Sequence, residues 1–466
     1  MANFFLVQPY ADAEGVLARA QVVPAGALPQ TISGLASGSY RVASLAYAAG
    51  GYEIWGPALL GAALRAWYDP SDLTTLFQDA AMTVPVTAAG QSVAAMRDKS
   101  GNGRHLTQAI AAARPIYGRT PATGRRNRLG YSEDITNGLW IKGAKDSGVT
   151  PLVAANASLA PDGTLTADKV TLDRGAVTGL SYVTQRLAMT GQTLTSSFYV
   201  RASRPEDVGR TLDCWCFDTV VRRHVSIVLT AEWVRIVLAP VALNAGGPYS
   251  EVMSVGYINV GSLSPDTGVT QFDLWGAQAE NAASVTPYQR VVSGFDVTEA
   301  GVETLHYLQG DGIDDALLGA PPVTAYPLTL AAAFELLDAG GGGVVSLHQG
   351  GSDYKALNIQ SYLRAVDSTA AAGYQAANTG SGLPTRTSAV AEYTGTGITL
   401  TTPAYSASSP AAQTFGAPVD LRIFSLRGSE RTSARIFALV VVNLALSPTE
   451  RTLMLDWLDA QSEVIA

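Results

Sequence analysis

The chain of 466 residues is poor in the groups that most metal sites, redox centres and nucleic-acid surfaces are built from. Its four histidines, His105, His224, His306 and His348, are scattered, and none has a second histidine or a cysteine at ligand spacing, which argues against zinc. Only 15% of residues are charged, and 31 Lys and Arg against 39 Asp and Glu leave a formal net charge of -8. Nucleic-acid affinity needs clustered cations that displace counterions, so no nucleic-acid partner is expected. The only basic cluster is Arg125-Arg126-Asn-Arg128, which reads as a solvated linker. No apolar run is long enough to cross a bilayer, and Met1–Pro9 lacks a basic leader segment. The expectation is a chain without membrane insertion or signal peptide, folded in a cytoplasm. The phosphate-cradling G-x-x-x-x-G-K-[ST], H-E-x-x-H, G-x-S-x-G and paired C-x-x-C patterns are all missing.

The two cysteines stand in Asp213-Cys-Trp-Cys-Phe217. Residues i and i+2 of a strand share one face, and a bond between them would be strained, so two reduced core thiols are expected. Helical periodicity is also missing until the last twenty residues. What is present is 47% hydrophobic residues with 46 Gly and 23 Pro, the composition of β-sandwiches with many tight turns. Strand-like runs include Tyr40–Tyr47, Tyr52–Trp55, Ser197–Val200, Ser226–Leu229, Trp233–Leu238, Leu328–Phe334, Val344–His348, Ala389–Tyr393 and Ile436–Val442. At the end, Ser447-Pro-Thr-Glu450 is a capping box with proline at the first helical position. Leu453, Met454, Trp457 and Leu458 then form an apolar stripe that packs a helix onto its own sandwich.

Two separated stretches belong together. Leu64–Asp79, Asp98-Lys-Ser-Gly-Asn-Gly103 and Ala113–Tyr117 come first; Tyr307-Leu-Gln-Gly-Asp-Gly-Ile-Asp-Asp315 and the strands after it come second. Together they resemble the opening and continuation of a concanavalin A/laminin-G-like domain of bacteriophage virion proteins. Between them, Leu129–Trp140, Ala160–Val170, Ser196–Arg201, Ala231–Val237 and Phe272–Glu280, ending at Tyr288, form an ordered series. That series resembles the carbohydrate-binding-module-like jelly roll of phage tail proteins. Thr31–Leu35 with the strands to Trp55 resembles the end of a fibronectin type III domain, shorter than the roughly 100 residues such sandwiches use.

The expected fold is therefore all-β, with multidomain jelly-roll sandwiches. A truncated fibronectin III-like anchor covers residues 1–57, and a laminin-G-like sandwich covers 58–120 and 295–466. A carbohydrate-binding-module-like jelly roll is inserted at 121–294. Entry to and exit from the insertion should lie close together. Residues 1–57 are expected to dock on other virion proteins, because so small a sheet leaves an edge to cover.

The resemblance implies a tail fibre, tip or baseplate-attached adhesin in the virion. It would bind host surface polysaccharide non-covalently and act as a symmetric homo-oligomer, a trimer, since weak sites gain from multivalency. The alternatives are a capsid-decorating or head-fibre protein without host binding and, last, a capsule-degrading glycosidase. Hydrolysis needs two placed carboxylates, and the alternating E-x-D-x-x-E strand of such enzymes is missing, so no catalytic residue is assigned. No cofactor is expected beyond calcium, for which Asp311, Asp314 and Asp315 offer hard oxygens; Asx bonding within a turn explains the same residues. For stacking on sugar, Trp140, after the turn signal Asn137-Gly138, and Tyr182 are the expected exposed aromatics, while Trp233 and Trp275 read as core.

Overall fold

Pairing across the interruption defines the larger part of the molecule, a computed structural model that describes residues 4–9, 21–24, 40–48, 51–122, 126–187, 192–217, 222–243, 250–258, 264–338, 341–350, 353–359, 362–368, 375–378, 386–410, 412–426 and 430–462. Ile116–Pro121 runs antiparallel to Thr304–Asp311, with Pro121 opposite Thr304 and Tyr117 opposite Leu308. Leu64–Tyr68 adds to Ser433–Val442, and Leu106–Thr107 to Leu317–Gly319. Two compact units result, Met1–Ala122 with Gly301–Ala466, and Thr123–Ala300.

In the first unit, one sheet runs from Ile116–Pro121 through Thr304–Asp311, Ser433–Val442, Leu328–Leu336, Arg386–Tyr393 and Gly397–Thr402 to Tyr405–Pro410. The second runs from Gln375–Asn378 through Tyr354–Ile359, Gly342–His348 and Asp420–Ile423 to Leu76–Phe77. Leu328–Leu336 shows why the layers form. Alternate side chains face opposite ways, so Leu328, Leu330, Phe334 and Leu336 fill the core between the sheets. Ala331 and Ala333 are small enough to admit the helix Pro448–Ser462 on the other face, where Leu453, Met454 and Leu458 pack. The helix starts as expected: Glu450 N–H donates to Ser447 Oγ at 3.2 Å and Ser447 N–H to Glu450 Oε2 at 2.8 Å. Trp457 meets Trp67 edge to face at 5.9 Å. The Asp98 loop is a structural turn, its carboxylate accepting from the backbone N–H of Trp67, Ser100 and Arg104 at 2.8–3.0 Å.

Near the N-terminus, four strands order as Gln21–Pro24, Phe4–Pro9, Tyr40–Ala48 and Gly51–Ile54. The run expected at Thr31–Leu35 lies outside the described residues. Trp55, just after the sheet, is buried in the cluster beneath the helix.

The second unit is a sandwich of two five-stranded sheets. One orders Trp140–Lys145, Leu180–Leu187, Ser250–Tyr257, Thr211–Phe217 and Arg222–Val228; the other orders Val149–Ser158, Ala167–Asp173, Val269–Asn281, Thr193–Ala202 and Val234–Ala242. Cys214 and Cys216 form no disulfide and are buried in its core, where loss of solvation pushes the Cys214 thiol well up. This unit spans Thr123–Ala300, and Gln289 at the start of the hairpin of Gln289–Ser293 and Asp296–Glu299 is tied back to the chain entering the unit. Asn127 makes the tie. Its Nδ2 donates to the carbonyls of Ala277 at 2.9 Å and Gln289 at 3.1 Å, and its Oδ1 accepts from Ala279 N–H at 3.0 Å. Within the basic cluster, the buried asparagine does this work, while Arg128 is exposed.

Replacing Asn127 by alanine strands buried N–H and C=O groups, each costing about 1–3 kcal/mol. Calorimetry of Asn127→Ala should show one transition lowered by roughly 2–10 °C, with the other unmoved. An unchanged thermogram would mean that these bonds add no net stability.

Candidate functional site

In the sheet that carries the cysteines, strand alternation separates two sets of side chains. Leu212, Cys214 and Cys216 join Val183 and Val255 in the core. Asp213 and Trp215 point the opposite way, in register with Tyr182, Thr184, Ser254 and His224 on neighbouring strands. The outer side of a sandwich sheet is ordinarily wet and polar. Here Asp213, Thr184 and Ser254 are fully withdrawn from solvent, Trp215 is 3% exposed, and Tyr182 and His224 are half-buried.

Burial of polar groups is costly unless each finds a partner, and these do. Trp215 Nε1 donates to Glu251 Oε2 at 3.0 Å, and Arg186 donates to Glu251 Oε1 at 2.8 Å. His224 Nε2 lies 2.9 Å from Asp213 Oδ1, and the Thr184 and Ser254 hydroxyls are 2.7 Å apart. The Tyr182 ring meets Trp215 edge to face at 5.3 Å and 63°. It also lies across Gly143, where a Cβ would sit 2.3 Å from its Cζ, so only glycine lets the ring occupy that place. Of this network the Tyr182 ring and the Arg186 guanidinium reach solvent, an aromatic group beside a donor fork that suits a polyhydroxy ligand, while the buried groups hold the two in place.

Tyr182 thus belongs to this surface, whereas Trp140 does not. Trp140 is 1% exposed and part of the core, with Nε1 donating to Tyr131 O at 3.0 Å. The turn ahead of it exists, closed by Trp140 N–H to Asn137 O at 3.0 Å. The strand then begins at Trp140 itself, and its phase turns the indole inward. Trp215 stands beside Tyr182 on the same face, and alternation in Asp213-Cys-Trp-Cys-Phe217 carries the signal for it: if both cysteines face the core, the tryptophan cannot.

Asp311, Asp314 and Asp315 do come together, with carboxylate oxygens within 4.8 Å of one another. They are hard-cation ligands by type. The same oxygens serve the turn: Asp311 Oδ1 accepts from Ile313 N–H at 2.7 Å and Asp314 N–H at 3.3 Å, and Asp315 Oδ2 accepts from Asp311 N–H at 3.0 Å. Burial, then the Asp311 charge, raises Asp315 from 3.8 to about 6. A carboxyl raised on folding holds its proton in the native state while the unfolded chain has lost it. Its contribution to stability therefore falls as pH rises from about 4 to above 6. The melting temperature should gain less on moving from pH 7.5 to 5.5 in Asp315→Asn than in the wild type. Equal gains in the two proteins would rule this group out as the source.

No family model and no curated protein matches the sequence. Among solved structures, the chain is similar to the enzymatically active domain of tailspike protein 4 from bacteriophage CBA120, at 12% identity and TM-score 0.24, over 33% of this chain and 21% of that one. It therefore spans about a fifth of that tailspike. It is also similar to a family 22 carbohydrate-binding module of Clostridium thermocellum Xyn10B, at 12% identity and TM-score 0.24, over 34% of this chain and 96% of that one. Domains LG4-5 of the mouse laminin alpha1 chain match at 10% identity and TM-score 0.24, over 55% of this chain and 85% of that one. At such distances the function rests on this chain's own residues.

Proposed function

We propose that the chain is a bacteriophage virion component, a tail fibre, tip or baseplate-attached adhesin that holds host cell-surface glycan non-covalently on the outer face of the inserted sandwich. The observation that carries this reading is the set of paired polar groups and aromatic rings withdrawn from solvent on the non-core side of a sheet. A purely structural sandwich gains nothing from assembling Tyr182, Trp215, Glu251, Arg186, Asp213 and His224 there. The virion placement rests on the ordered motif resemblances in the sequence. Docking through residues 1–57 and assembly as a trimer would present several weak sites at once.

The reading is adhesion rather than hydrolysis. Glycoside cleavage needs one carboxyl kept protonated beside the bond. On this face Asp213 bonds His224, and Glu251 bonds both Trp215 and Arg186. Among the described residues, the carboxyls raised to about 6 are Asp168, Asp315 and Asp459. They serve elsewhere: Asp168 accepts from the backbone N–H of Ile135 and Asn156, and Asp459 accepts from the Ser388 hydroxyl.

Immobilised host polysaccharide should capture the purified chain without releasing reducing ends. Tyr182→Ala and Arg186→Ala should each weaken capture by about tenfold or more, equivalent to ~1.4 kcal/mol, measured below the melting temperature of each variant. Failure of the wild-type chain to bind any host glycan would overturn the reading and favour shell decoration.

A further inference from the structure

We infer that the inserted sandwich carries a second saccharide site, on the outer side of its other sheet, which takes short neutral oligosaccharides. It begins as a break in strand register. Between Thr193–Ala202 and Val269–Asn281, Ser197 pairs with Gln278, but Tyr199 pairs with Trp275, so an extra residue is held on the second strand. Gly276 sits in that bulge at φ +65, a conformation that L side chains rarely adopt; a Cβ there would also lie 3.1 Å from the Tyr199 ring and 3.5 Å from Tyr288. Trp275 faces outward by alternation with core Phe272 and Leu274, and the bulge resets that alternation after it. Leu274 and Ala277 face the core, while Trp275 is turned outward.

Three rings then gather. Trp275 lies 4.3 Å from Tyr288 and 5.4 Å from Tyr199, centroid to centroid, and its Nε1 donates to Thr166 Oγ1 at 2.9 Å. They line a cleft of about 490 Å³, within the size range of small-molecule sites. Trp275 is its buried floor, and Tyr199 and Tyr288 are its half-exposed walls.

The polar rim is held in place. Tyr288 O–H donates to Glu133 Oε1 at 3.0 Å, and Arg290 Nε donates to Glu133 Oε2 at 3.0 Å. Burial, then the Glu133 charge, pushes the Tyr288 hydroxyl well up, which keeps it a neutral hydrogen-bonding group rather than a nucleophile. The Arg290 side chain stays 51% exposed, so its outer N–H groups are available to a ligand. Asp162 and Glu299 line the cleft as further acceptors. Rings for stacking, with one donor fork and several acceptors at the rim, suit sugar hydroxyls. Three carboxylates against one guanidinium make the cleft acidic, which disfavours uronic or sulfated sugars by like-charge repulsion.

The cleft and the Tyr182 surface use opposite outer faces of one sandwich, so a single unit could grip two segments of glycan. Calorimetric titration of the full chain with neutral gluco- and galacto-oligosaccharides, and with their uronic-acid counterparts, tests this. The double variant Arg290→Ala, Asp162→Ala removes exposed side chains and should keep its melting temperature, yet lose at least tenfold in affinity for the neutral ligand. Tyr182→Ala should retain that binding phase, and acidic counterparts should bind more weakly. Neutral ligand bound equally by the wild type and the double variant, abolished by Tyr182→Ala, or outcompeted by uronic-acid oligosaccharides would overturn the inference. Loss in the double variant alongside an inert Tyr182→Ala would sustain this cleft while removing the proposed function of the other face.

Discussion

The antiparallel pairing of Pro121 with Thr304 is the constraint on which the rest depends. A strand laid down before residue 123 must find its partner after residue 300, so the inserted segment has to return the chain to nearly the point where it left. Asn127 enforces the return from inside the insertion, because it hydrogen-bonds both the strand leading out and the hairpin that closes the unit. Both sandwiches can then form complete cores.

Each sandwich spends its strand alternation differently. In Leu328–Leu336 both faces are apolar, large toward the opposing sheet and small toward the helix, so the strand is purely architectural. In Thr211–Phe217 one face is core and the other is a surface of paired polar and aromatic groups. Polar groups withdrawn from water need partners at fixed positions, and fixed positions are what recognition requires. In Val269–Asn281, alternation with core Phe272 and Leu274 turns Trp275 outward, and the Gly276 bulge then returns Ala277 and Ala279 to the core.

Much of the architecture is legible in local pattern. The strand runs and the Ser447–Glu450 cap are statements about neighbours in sequence, where turn chemistry and periodicity act, whereas the split between residues 58–120 and the strands after Phe295 rests on family resemblance. The site was less legible. Tyr182 is on the outer face of its sheet, but Trp140 is in the core, since a turn signal such as Asn137-Gly138 marks where a strand begins and says nothing of which way its first side chain points. The Asp311–Asp315 cluster shows the same limit: its residue types suit a cation and a turn equally, and the structure shows the same oxygens accepting the turn's own N–H groups.

By itself, the sequence determined that this chain is all-β and that its cysteines remain thiols in a core, because both follow from short-range spacing and composition. Only the tertiary structure decided which aromatics share a surface, that Trp215 faces away from its flanking cysteines' core, and that Trp275, Tyr199 and Tyr288 meet at a bulge. Those facts depend on strand register across long separations in the chain. A shift of one residue in that register would exchange the core and outer faces without altering any local pattern.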